Sequence, residues 1–99
     1  MPSRPARLLC VGNEQDSLMS RCAVLGSAGY KAESASLPEA LQLLRTEEFD
    51  LIIVSAWFQE WEKREILAAA GKTPVLKLEG LTRAEKLLAQ VESLLSPIA

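Results

Sequence analysis

The sequence predicts an α/β fold in which helices cover both faces of a parallel sheet, giving three layers. Two observations carry it. Leu51-Ile52-Ile53-Val54 is an unbroken apolar run rich in β-branched residues, and such a run marks a strand buried on both faces. Extended and helical stretches also alternate along the chain in the order β-α-β-α-β-α-β-α, with short connections. Right-handed crossovers between successive strands then make the sheet parallel.

Each element has its own warrant. Arg7-Leu8-Leu9-Cys10-Val11 is a mostly apolar first strand, stopped by Gly12-Asn13. Asp16 or Ser17 caps the first helix, whose apolar stripe is Leu18, Cys22, Leu25 and Ala28, with Gly29 as its stop. Residues 30–35 alternate polar and small side chains and form a weaker strand at an edge. Ser36-Leu37-Pro38-Glu39 is a capping-box start with proline in the first turn. Leu37, Ala40, Leu41 and Leu44 line one face of that second helix, which ends near Thr46.

The third strand covers 51–55, and a third helix runs from about 59 to 70 and stops at Gly71. Residues 73–79 form the fourth strand, with Leu76 and Leu78 on one side and Lys77 and Glu79 on the other. That alternation belongs to a half-covered strand. Thr82-Arg83-Ala84-Glu85 is a second capping box, opening a last helix striped by Ala84, Leu87, Leu88, Val91, Leu94 and Leu95. No repeat or linker interrupts the chain, so 1–99 is expected to be one domain with its core in about 6–96.

Composition narrows the function. A net charge of -2 and a pI near 5.1 argue against nucleic acid as a partner. No run approaches the length of a membrane span, and residues 1–5 do not read as a signal peptide, so a cytoplasmic protein is expected. The chain has no histidine, which removes the commonest general base and metal ligand. Cys10 and Cys22 read as small core residues in a reducing compartment. No cofactor, metal site or small-molecule substrate is evident.

The ordered motifs resemble the CheY-like receiver domain of bacterial response regulators. Arg7-Leu8-Leu9-Cys10-Val11-Gly12-Asn13-Glu14 is similar to that family's first strand, Glu48-Phe49-Asp50-Leu51-Ile52-Ile53-Val54-Ser55 to its third, and Pro74-Val75-Leu76-Lys77-Leu78-Glu79-Gly80 to its fourth. The resemblance implies a flavodoxin/CheY-like sheet, here of about four strands in the order 2-1-3-4. It also implies a set of phosphorylation positions, and these depart one after another. Gly12 and Asn13 stand where the family's acidic pair would hold Mg²⁺, Ser55 where its phosphoacceptor aspartate would be, and Glu79 where a Thr or Ser would sense the phosphoryl group.

Phosphoryl transfer depends on metal and fixed donors neutralising charge around the transferring group. A site without acceptor or acidic pair is therefore expected to be inert. Only Gly80-Leu81 separates Glu79 from Thr82, so the family's fourth helix and fifth strand have no residues to form them. Lys77 lies inside the fourth strand and is expected to face outward, where it discourages pairing at the new edge.

Trp57, Phe58 and Trp61 cluster just after the third strand. Two roles stay open for them: cover for a thinned core, or an interface shared with Lys77. The reading that results is a phosphorylation-independent, non-enzymatic receiver-like module in bacterial two-component-type signalling, acting through a protein partner, a homodimer or both. The alternatives are a phosphoryl carrier or phosphatase-like protein using Cys10, or a purely structural dimerising unit.

Overall fold

A computed structural model describes residues 5–78 and 83–95. Its elements are β1 (Arg7–Val11), α1 (Gln15–Ser27), β2 (Lys31–Ala35), α2 (Leu37–Thr46), β3 (Leu51–Val54), α3 (Glu60–Ala70), β4 (Val75–Lys77) and α4 (Ala84–Leu95). The four strands form one parallel sheet in the order β2-β1-β3-β4. This is the predicted α/β architecture. Residues 78–83 alone separate β4 from α4, and neither a further helix nor a further strand occurs among the described residues.

Strand alternation sorts the core into two layers. Leu9, Val11, Ile52 and Val54 point into a cluster with Leu37 and Ala40 of α2 and with Ile66 and Ala70 of α3. Leu8, Cys10, Leu51 and Ile53 point the other way, onto Leu18 and Leu25 of α1 and onto Leu87 and Val91 of α4. β1 and β3 are thus covered on both faces, and each buried Leu, Ile or Val there contributes about 1.5–3 kcal/mol.

The outer strands are thinner. β2 is half exposed, as expected of an edge. β4 pairs with β3 through Val75, Leu76 and Lys77. Leu76 and Leu78 pack toward α4 while Lys77 is exposed, which is the expected alternation. The strand is shorter than the predicted 73–79, because Thr73 bonds back to Ala70 in the turn after α3.

Helix starts follow the sequence with one exception. Ser36 and Glu39 form the predicted capping box at α2. α1 begins at Gln15 after Glu14, with no side-chain cap, so neither Asp16 nor Ser17 is the cap. Ala28, placed on the α1 stripe by the sequence, lies past the helix end and is exposed. Gln59 and Glu62 form an additional capping box at α3. Gly29 (φ 97°) and Gly71 (φ 61°) take the left-handed turns that stop α1 and α3. Thr82, the expected cap of α4, lies outside the described residues.

Arg7 closes the amino end of the sheet. Its guanidinium meets Glu33 at 2.9 Å and Glu47 at 2.6 Å, donates to the Glu48 carbonyl at 3.3 Å, and stacks 4.6 Å from the Phe49 ring centroid. Its backbone N–H donates to the Asp50 carboxylate at 2.7 Å. Hydrogen bonds to Glu47 and Glu33 hold the guanidinium pKa above its ordinary value. One side chain thereby ties β1 to β2 and to the segment entering β3.

Candidate functional site

In open parallel sheets the working end is the carboxyl end of the strands. Here that end is assembled by three backbone bonds: the Gly12 N–H donates to the Ala35 carbonyl (3.1 Å), the Ser55 N–H to Val11 (3.0 Å) and the Leu78 N–H to Val54 (3.0 Å). They place the exits of β1 and β3 side by side. Gly12 and Ser55 therefore meet.

Their meeting point is packed rather than polar. A Cβ added at Gly12 would lie 3.1 Å from Leu18 Cδ2 and 3.3 Å from Ser55 Cβ. Leu18, one turn into α1, fills the corner and is itself buried. Ser55 is 7% exposed. Its hydroxyl accepts a 3.4 Å hydrogen bond from the Trp57 N–H, which turns the chain away from the sheet. Asn13 is exposed beside Gly12, on a shallow cavity of about 180 Å³ shared with Gln15, Ser34, Ser36 and Glu39. Glu79, the fourth position that the sequence singles out, lies outside the described residues.

No group of three or more His, Cys, Asp or Glu comes together among the described residues. Among the described residues Ser55 has no base within hydrogen-bond reach: its one side-chain bond there is to a backbone N–H. Among the described residues the corner is neutral and hydrophobically packed, where metal-assisted phosphoryl chemistry needs converging carboxylates.

The aromatics divide. Phe58 is 5% exposed and sits in the α2/α3 core layer, so it is core cover and drops out as a surface interface residue. Trp57 and Trp61 are 61% and 55% exposed. They do not share one helix, because α3 starts only at Glu60 and Trp57 lies in the preceding turn. The Trp61 indole N–H donates to the Gln59 side-chain oxygen at 3.2 Å. Lys77 is exposed on β4, as expected.

Cys10 is fully buried on β1, and Cys22 is half buried on α1 against the same core layer. Hydrogen bonding to Cys22, reinforced by burial, pushes the Cys10 thiol up. The same hydrogen bond, aided by nearby Arg21 and opposed by burial, lowers Cys22 to about 7. Alkylation of the folded protein is therefore expected at Cys22, with a rate that climbs as pH rises through about 7 and the thiolate forms. Cys10 should react only after denaturation. Peptide mapping after timed iodoacetamide exposure checks this, and rapid labelling of Cys10 in the native state would contradict it. A buried thiol with a raised pKa is a poor phosphate-loop nucleophile, which weighs against the carrier or phosphatase reading.

No protein-family model matches the chain, and no curated protein matches it. Among solved structures it is similar to a crystal structure described as the signal receiver domain of a Luxo repressor protein from Vibrio parahaemolyticus. The two are 14% identical, the match covers 92% of this chain and 90% of that one, and the TM-score is 0.66. At that identity the likeness shows the fold. The chain has the CheY-like receiver fold in a four-stranded form.

Proposed function

We propose that this protein is a pseudo-receiver: a non-enzymatic, phosphorylation-independent protein-interaction module of bacterial two-component-type signalling, acting in the cytoplasm. The observation that supports it most is the Gly12–Leu18–Ser55 corner, where uncharged residues pack together at the strand ends to which the resemblance assigns an acidic pair and a phosphoacceptor. Exposed Trp57 and Trp61, with Lys77 on the edge strand, supply a surface suited to a partner protein or to a second copy. No helix among the described residues is long and apolar enough to cross a membrane.

Incubation with acetyl phosphate and Mg²⁺ should leave the intact mass unchanged. A gain of one phosphoryl group, mapped to an Asp or Glu near Ser55, would overturn the proposal. Association is read by sedimentation: the wild type should form a dimer or bind one signalling partner in a manner sensitive to Trp57 and Trp61.

A further inference from the structure

A second cavity lies on the α1/α4 side of the sheet, next to Ser55. It encloses about 310 Å³ between Ser17, Ser20, Arg21 and Val24 of α1 and Ala84 and Leu87 of α4, with Ser55, Ala56 and Trp57 at one end. Arg21 is its most informative member. Its Nη1 is shut off from solvent and has no hydrogen-bond partner among the described residues. Asp16 lines the same cavity, but the ion pairs found among the described residues are those of Arg7 alone. A buried guanidinium N–H without an acceptor is costly, and native structures normally satisfy such a group.

We infer that this groove binds a small organic anion with one phosphate or carboxylate group and a planar ring. The Arg21 fork matches the geometry of a carboxylate or phosphate. Hydroxyls of Ser17, Ser20 and Ser55 add donors around it. Val24, Ala56 and Leu87 give the rest of the ligand an apolar wall, and Trp57 offers an aromatic surface at the rim. The volume lies at the small end of ligand pockets, and the Asp16 carboxylate on the same cavity stands against a ligand with more than one phosphate or carboxylate group. The site lies at the carboxyl end of β3, where ligands of open α/β sheets collect. It shares Ser55 with the phosphorylation positions and Trp57 with the partner surface.

The test is a titration of the whole chain with adenosine monophosphate, benzoate and inorganic phosphate, read by amide chemical shifts and tryptophan emission. Adenosine monophosphate should shift amides of residues 17–21, 55–57 and 84–87 saturably, and inorganic phosphate should do so more weakly. Arg21→Gln should weaken binding about tenfold or more without lowering the melting temperature, since it removes a buried donor that has no partner among the described residues. Arg64→Gln, on exposed α3, should bind as the wild type does. If Arg21→Gln unfolds, Ser20→Phe takes its place by blocking the groove from its exposed rim, and it should abolish the shifts. The inference is overturned if none of the three probes shifts these amides at millimolar concentration, if the variants bind undiminished, or if inorganic phosphate binds as tightly as the nucleotide.

Discussion

Placing aspartates at the three positions that the receiver resemblance points to, as Gly12→Asp, Asn13→Asp and Ser55→Asp together, is expected to unfold the protein rather than to yield a phosphorylated one. The Cβ at position 12 alone presses on Leu18 and on Ser55 Cβ. Leu18 can yield by rotating, whereas the Ser55 Cβ is fixed by a backbone bonded to Val11. Overpacking of this kind costs about 1–3 kcal/mol. A carboxylate placed there without metal adds a buried, unpaired charge, worth several kcal/mol more unless it takes up a proton. Domains of this size hold only about 5–15 kcal/mol in reserve.

Urea denaturation of the single variants should separate the contributions. Asn13→Asp, on an exposed residue, should be nearly neutral, while Gly12→Asp and Ser55→Asp should each cost about 4 kcal/mol or more. Leu18→Ala in the triple background should recover part of the loss by opening the corner. A triple variant as stable as the wild type, and phosphorylated by acetyl phosphate with Mg²⁺, would mean that the corner is not closed by packing.

Phe58→Ala should lower stability by about 3 kcal/mol or more, or roughly 15 °C in melting temperature for a domain of this length. Its ring fills the layer between β3 and α3, and so thin a sheet has no spare side chain to close the cavity. Trp57→Ala and Trp61→Ala should change stability by less than about 1 kcal/mol, because more than half of each residue already faces solvent. Their effect should appear in association instead. Thermal melts and sedimentation of all three variants decide the matter. Equal destabilisation by the tryptophan variants, with the wild type monomeric at high micromolar concentration, would make all three aromatics core cover.

These contrasts also mark how far the sequence could be read. β1 and β3 were legible because an unbroken apolar run has one good environment, a sheet covered twice. α2 was legible from Ser36 and Glu39, whose capping partners lie within one turn. What the sequence hid depends on juxtaposition across long separations. Phe58 is core and Trp57 is not because of a turn set partly by Ser55, and two adjacent aromatics carry no local mark of which will be inside. Arg7 looks like an ordinary strand-entry arginine until β2 and the segment before β3 bring Glu33, Glu47 and Phe49 to it. Arg21 sits one residue off the apolar stripe of α1, and only the arrival of α4, more than sixty positions later, makes it the wall of a groove. The start of α1 was misjudged because Glu14 initiates it without any side-chain bond.

The central place of β1 has a consequence for synthesis. Its register joins Leu8 to Leu51 and Val11 to Val54 on one side, and to Ala32 and Ala35 on the other. β1 is thus synthesised ahead of β3, a neighbour of its apolar side chains encoded 43 positions later. At about 5–20 residues per second, that delay is roughly two to nine seconds. Through it Leu8, Leu9, Cys10 and Val11 remain a sticky nascent segment that only β2 and α1 can begin to cover. Yield in the cell should therefore respond to translation speed between β2 and β3, and to chaperones that hold short apolar strands, more than the stability of the finished fold would suggest.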